Sequence, residues 1–223
     1  NNLKCAAISS YDAINSTNTK QVNVTSAVSQ QTPIVYLTNP TNATWLNTNE
    51  IVLYYNITDS NNNLANSTLI LNGVLNQTNQ SALLNGQINN FTLVNLIDGT
   101  YTWTVNVTDT TNLIGTNTSY RTFYKDALAP NITLSKPAQN ESFQVSTIQF
   151  NFTVIDYMDN ILICNLTINN TVRDANFNSN NGSLTNRIIN NIAPGTHLWN
   201  VTCIDEAGNL NTSLTRNFTI QDV

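Results

Sequence analysis

Chemistry needs reactive side chains at workable spacings, and this 223-residue chain offers few of them. His197 is its single histidine. It alternates with Trp199 in an extended phrase beside Pro194-Gly195, and Tyr101 holds its place in an earlier copy of that phrase. That pattern describes a structural residue better than a general base. The 13 acidic residues are scattered. Asp156 and Asp159 flank Tyr157-Met158 in one loop, and Asp205-Glu206 occupies another turn, with Asp109 in the equivalent place upstream. Calcium takes about six to eight oxygens at one point. These loops promise two or three, so no metal ligand is assigned. Glycoside hydrolysis needs two carboxylates at a set separation across a cleft, and no acidic pair is expected to recur between the copies. A Gly-rich phosphate loop, a Gly-x-Ser-x-Gly elbow and a His-Glu-x-x-His helix are all missing. The expectation is a protein with no catalytic residue, no cofactor and no metal site.

Two residue types remain that could be modified covalently. Cys164 and Cys203 fall on the inward faces of two different predicted strands. A bridge between them would close a loop of about 39 residues and contribute about 2–4 kcal/mol. The first copy has Ser67 and Val107 at the equivalent places, and Cys5 is left over for a partner upstream or in another chain. No Cys-x-x-Cys or Cys/His cluster suggests structural zinc.

The second type is asparagine. Asn-x-Ser/Thr sequons with x other than Pro start at Asn15, Asn23, Asn42, Asn56, Asn66, Asn76, Asn79, Asn90, Asn106, Asn117, Asn131, Asn140, Asn151, Asn165, Asn169, Asn181, Asn200, Asn211 and Asn217. These 19 are about twice the number that random placement of 42 Asn among 47 Ser and Thr would give. Nine have an apolar middle residue, as in Asn56-Ile57-Thr58 and Asn151-Phe152-Thr153. In a strand that middle residue points inward, so Asn and Thr face solvent, where a bulky sugar can be carried. Asn is depleted in strands, so its repeated use there implies a compensating role. We expect covalent N-glycans and hence an exported, extracellular product.

Composition agrees. Charged residues are 9% of the chain, against about 25% in ordinary globular proteins. Eight Lys and Arg make no basic patch, which excludes nucleic acid, and the net charge of −5 disfavours anionic membranes. The longest aliphatic runs, such as Ile161-Leu162-Ile163, are far short of the roughly 20 residues of a membrane span. Glycans would supply the solubility that Lys and Glu usually provide.

The elements that must position these residues are short strands. Ile51, Leu53, Tyr55 and Ile57 alternate with polar residues. So do Tyr101, Trp103, Val105 and Val107, then Ile148, Phe150, Phe152 and Val154, then Leu162, Cys164, Leu166 and Ile168, and finally His197, Trp199, Val201 and Cys203. Each is a half-buried strand. Asn72-Gly73, Asp98-Gly99, Asn181-Gly182, Pro194-Gly195 and Gly208-Asn209 mark turns between such runs. The pattern repeats at 95 to 97 residues: Trp103 shifts to Trp199, Arg121 to Arg216 and Ile51 to Ile148. That period is a whole domain rather than a solenoid repeat. We expect an all-β chain of tandem immunoglobulin-like β-sandwich domains over 33–126 and 127–223, with 1–32 contributing partial strands of an upstream or shared domain. Lys20, Val22 and Val24 would form its last strand, and the opening Asn1-Asn2-Leu3-Lys4 without Met suggests a removed leader or more protein upstream. Arg121 and Arg216 begin the last strand of each unit, where an edge aromatic or a turn Asp is the expected partner.

The phrases Gly-Thr-Tyr-Thr-Trp-Thr-Val-Asn-Val-Thr-Asp at 99–109 and Gly-Thr-His-Leu-Trp-Asn-Val-Thr-Cys-Ile-Asp-Glu-Ala-Gly-Asn at 195–209 resemble the tandem immunoglobulin-like repeats of archaeal cell-surface glycoproteins, of S-layer or extracellular-filament type. The resemblance covers 33–223, and unit one departs from its cysteine-bearing form at Ser67 and Val107. It implies a structural or adhesive role. The leading expectation is a subunit of a surface layer or filament that self-associates, with residues 20–32, including Val28, donated as a strand to a neighbour. The alternative is a rod-like adhesin or receptor stalk that holds a distal binding module. Sugar binding would require an exposed aromatic. Trp45 is the one suggestive residue, and it could equally cap the end of the first core.

Overall fold

The computed structural model describes residues 29–222. The expected partial domain over 1–32 lies almost wholly outside the described residues, with Cys5, Lys20, Val22, Val24, Val28 and the sequons at Asn15 and Asn23; residues 29–33 are irregular backbone.

Two sandwiches of nine strands each follow. The first comprises β1 (Ile34–Asn39), β2 (Thr44–Leu46), β3 (Glu50–Thr58), β4 (Leu64–Leu71), β5 (Val74–Asn79), β6 (Ile88–Val94), β7 (Gly99–Asp109), β8 (Ile114–Thr116) and β9 (Arg121–Lys125). The second comprises β10 (Asn131–Lys136), β11 (Glu141–Phe143), β12 (Ile148–Ile155), β13 (Ile161–Ile168), β14 (Thr171–Asn180), β15 (Leu184–Ile189), β16 (Gly195–Ile204), β17 (Leu210–Thr212) and β18 (Arg216–Ile220). In the first, sheet β1-β3-β6 faces sheet β2-β9-β7-β4-β5, with β8 pairing β7. In the second, β10-β12-β15 faces β11-β18-β16-β13-β14, with β17 pairing β16. The order is identical, strand for strand, including the parallel pairs β2–β9 and β11–β18. The described residues thus form two tandem immunoglobulin-like β-sandwiches.

Alternation dictates the cores. β3 buries Ile51, Leu53, Tyr55 and Ile57, and β12 buries Ile148, Phe150, Phe152 and Val154. Each sandwich has its own apolar cluster, around Trp103 in the first and Trp199 in the second. Asparagine also has a conformational use. Among the described residues, nine Asn have positive φ. Asn72-Gly73 (φ 50° and 77°) and Asn169-Asn170 (φ 49° and 60°) make the two-residue hairpin turns β4–β5 and β13–β14. Such turns need φ > 0 at both central residues, which Asn tolerates.

Cys164 and Cys203 are direct cross-strand partners on β13 and β16, and their sulfurs form a disulfide within one sheet. The corresponding pair in sandwich one is Ser67 opposite Val107 on β4 and β7. There the Ser67 hydroxyl hydrogen bonds the Tyr55 hydroxyl at 2.7 Å, with both residues fully buried. Burial raises the Tyr55 pKa, partly offset by Ser67, so the phenol stays neutral. Position 55 corresponds to Phe152, which has no hydroxyl to satisfy. Ser67→Ala should therefore cost sandwich one about 1–3 kcal/mol, because it strands a buried hydroxyl. Adding Tyr55→Phe should recover part of the loss, as a urea-denaturation double-mutant cycle would show.

Two expectations need correction. Arg121 Nη1 donates to the carbonyls of Thr38 and Pro40 at 2.7 and 2.9 Å, and Arg216 Nη1 to those of Ser135 and Pro137 at 3.3 and 3.5 Å. Neither arginine pairs with an aspartate. Each ties the start of its last strand to the bend after the first. Trp45 does not cap a core either. It sits on the outward face of β2, stacked on Tyr124 at 4.5 Å, while the alternate residues Leu46 and Phe123 face inward.

Candidate functional site

In a chain with so little charge, four carboxylates gather where the two sandwiches meet. β9 ends at Lys125, and the Asp126 N–H donates to the Leu46 carbonyl at 2.9 Å, which fixes Asp126 to sandwich one. Asp156 and Asp159 lie in the β12–β13 loop, and Asp205 directly follows β16. One carboxylate oxygen from each of the four lies within 4.8 Å of the others. All four residues are buried, with exposures of 0%, 8%, 3% and 7% in chain order.

Backbone amides and two asparagines hold the loops. Asp126 accepts from Leu128 N–H, Asp156 from Met158 and Asp159 N–H, and Asp159 from Glu206 N–H, in every case through Oδ1. Oδ2 of Asp126, Asp156 and Asp159 is buried with no hydrogen-bond partner. Asn181 Nδ2 donates to the carbonyls of Asp156 and Asp159, both at 2.7 Å. Asn209 Nδ2 donates to Asp205 Oδ2 and also to the Asp126 carbonyl, reaching across the junction.

Sandwich one provides an internal comparison at its corresponding end. Asp59 takes the place of Asp156, Asp109 that of Asp205, and Asn62 that of Asp159. Asp59 accepts from Asn61 and Asn63 N–H through both oxygens. Asp109 accepts from Thr111 N–H, Thr111 Oγ1 and Leu113 N–H. Both are buried, and neither has an unpartnered oxygen. The two loops that fold alike thus differ in their polar satisfaction.

Electrostatics separates them too. Burial pushes the Asp109 carboxyl up, but its hydrogen bonds outweigh this and hold it below the ordinary range. Burial pushes Asp159 up to about 6 from an ordinary 3.8; the Glu206 amide opposes the shift, and Asp156, Asp205 and Glu206 add to it. Asp126 is also raised, by burial first and then by neighbouring carboxylates, against the Leu128 amide. Among the described residues the ion pairs are Lys125–Asp98 and Arg187–Asp174, and neither reaches the cluster. Unit charges under 5 Å apart repel by about 3 kcal/mol per pair at an effective dielectric of about 20.

The sign of the resulting pH dependence follows. A carboxyl with a folded pKa above its unfolded value binds more protons when folded. Freed of divalent ions, the protein should lose stability as pH rises from about 4 to about 6, and the loss should level off above that. Asp109, shifted the other way, acts only below its ordinary range. Urea midpoints across this window, on protein passed over a chelating resin, should fall with rising pH for the wild type. They should fall less steeply for Asp159→Asn, in which Asp126 is still raised by burial.

Chemically, the cluster suits one task. Its carboxylates are too close and too buried to flank a glycosidic bond with a bound sugar between them. Among the described residues no histidine or thiol adjoins it. His197 lies elsewhere, its Nε2 bonded to the Ala193 carbonyl and its Nδ1 to Asn169, just as Tyr101 Oη donates to the Ile97 carbonyl. Four oxygen ligands around one point can hold a hard cation. From sequence, two or three oxygens and no recurring acidic pair are expected here; the structure adds Asp126, from the linker beside the boundary, and places Asp156 at a 97-residue shift from Asp59.

The described sequons divide by what their amides already do. None of the 17 is buried, and the apolar middle residues Ile57, Phe91, Val107, Phe152, Leu166, Val201 and Phe218 all are. Asn117, Asn169, Asn181, Asn200 and Asn211 donate from Nδ2 into the fold. At Asn181 both amide hydrogens are used, which leaves no bond for a sugar without opening the junction loop. Asn90 and Asn131 are exposed, and among the described residues their side-chain amides have no hydrogen-bond partner.

No family model matches the sequence, and no curated protein does. Solved structures match in fold. The immunoglobulin domains 1–5 of Sidekick-1 align over 88% of this chain and 40% of theirs, at 13% identity and a TM-score of 0.53. The chain thus spans less than half of that structure. Fibronectin(III)-like modules of Clostridium thermocellum CbhA align over 84% of this chain and 94% of theirs, at 11% identity and a TM-score of 0.47. The likeness is one of architecture, and no helix among the described residues is long and apolar enough to cross a membrane.

Proposed function

We propose that this tandem is a structural spacer of an exported, N-glycosylated cell-surface protein, a stalk segment that carries an adhesive or receptor module. The observation that supports it most is the placement of the sequons. In both sandwiches, strands bury the middle residue and place Asn and Thr on the opposite face, exposed or half-buried. Few charges cover those outer faces, so attached sugars would provide the hydration. A fold repeated strand for strand, with a separate core in each copy, suits a spacer that is lengthened by adding copies. The resemblance of 99–109 and 195–209 to archaeal surface repeats agrees with that location. Assembly into a layer or filament is a narrower reading, and the segment 20–32 that would be donated lies mainly outside the described residues.

Site-resolved mass spectrometry of the protein from its native source tests this proposal. Glycopeptides are expected at Asn90 and Asn131, with Asn181 unmodified. Bare asparagine at all of the exposed sequons would overturn the glycosylated-spacer reading.

A further inference from the structure

We propose that Asp126, Asp156, Asp159 and Asp205 bind a calcium ion that locks the two sandwiches together. The site is independent of whether the chain serves as a stalk. Three buried oxygens, Oδ2 of Asp126, Asp156 and Asp159, have no hydrogen-bond partner. Each belongs to a residue at least nine-tenths buried and lies in a group whose ligand atoms converge within 4.8 Å. An unpaired buried charge is costly, and native structures pair such charges or place a metal against them. Among the described residues no Lys or Arg pairs with the cluster, so its charge is left to a cation from solution or to protons.

The donor set selects the ion. All four ligands are carboxylates, which are hard oxygen donors, whereas zinc favours nitrogen and sulfur. Magnesium keeps most of its waters and seldom sits in an all-protein cage; calcium accepts six to eight oxygens in flexible geometry, and bidentate carboxylates supply them. The Asn181 and Asn209 bonds to loop carbonyls hold the ligands in place. Sandwich one supports the assignment by contrast. Its equivalent loop has Asn62 for Asp159 and satisfies both of its aspartates internally.

The ligands come from both sides: Asp126 is fixed by sandwich one, and the other three belong to sandwich two. Calcium would therefore restrain the linker 127–129, where Leu128 is exposed.

The full chain, stripped on a chelating resin, should be titrated with calcium chloride at pH 7 by calorimetry and melted with and without the ion. About one ion per chain is expected, with a rise in Tm of at least about 5 °C at saturation and slower elastase cleavage at 127–128. Asp126→Asn and Asp159→Asn should each abolish the rise. Both should melt no lower than metal-free wild type, because each removes a buried charge. Asp174→Asn, elsewhere on sandwich two, should keep the full response. The assignment is overturned by the absence of heat and of any Tm shift at about 5 mM calcium, well above the weakest extracellular sites. An equal response to magnesium, or a response that survives in Asp126→Asn, overturns it as well.

Discussion

Replacing Cys164 with Ala and Cys203 with Val should destabilise sandwich two by about 4 kcal/mol, the chain-entropy value for a 39-residue loop. Sandwich one should be unaffected. Each kcal/mol moves the Tm of a domain of this size by about 4–8 °C, so a shift of roughly 15 °C or more is expected. In metal-free protein it should appear in one calorimetric transition only, since the two apolar clusters are separate. A second variant refines the test. Cys164→Ser with Cys203→Val copies the pair found in sandwich one, yet it should be worse than the alanine version. Sandwich one satisfies Ser67 with the Tyr55 hydroxyl, and sandwich two has Phe152 there. A serine at 164 would leave its hydroxyl buried without a partner, at a cost of about 1–3 kcal/mol. Adding Phe152→Tyr should then recover most of that second loss. If the serine and alanine versions melt together, the Tyr55–Ser67 bond is not what substitutes for the disulfide in sandwich one.

The strand faces were legible because period two survives wherever one side of a strand is buried. Ile51, Leu53, Tyr55 and Ile57 need no tertiary information to be placed. The repeat was legible because Trp103 and Trp199 anchor two copies of one phrase. The junction was not. Its ligands come from a linker, a loop and the end of a strand, separated by up to 79 residues from Asp126 to Asp205. None lies on a periodic face, and an aspartate in a turn usually serves its own backbone, as Asp59 and Asp109 do. Only the three-dimensional comparison of the two loops distinguishes an aspartate that closes a turn from one with an oxygen left over. The asparagines were half legible for a related reason. Their excess pointed outward to sugars, while Asn72, Asn169 and Asn170 are also there for their tolerance of positive φ.

Trp103→Ala and Trp199→Ala should each cost about 3–5 kcal/mol, as a large side chain is removed from a closed core. Trp103 is fully buried and Trp199 almost so, and the Nε1–H of both lacks a hydrogen-bond partner. That unpartnered donor makes a second prediction asymmetric. Trp→Phe at either position removes volume but also removes a buried unsatisfied N–H, so it should cost much less than Trp→Ala. In metal-free protein each alanine variant should lower one of two transitions and leave the other, because neither tryptophan belongs to the other cluster. Calcium should change that result. Binding needs Asp126 held by sandwich one and Asp156, Asp159 and Asp205 held by sandwich two, so unfolding either sandwich releases the ion. Its binding free energy then counts toward both transitions at once. With saturating calcium, Trp103→Ala should draw down the sandwich-two transition too, and Trp199→Ala the sandwich-one transition. Asp126→Asn should restore their independence. Transitions that stay independent in wild-type chain with calcium bound would show that the ion is held by one sandwich alone.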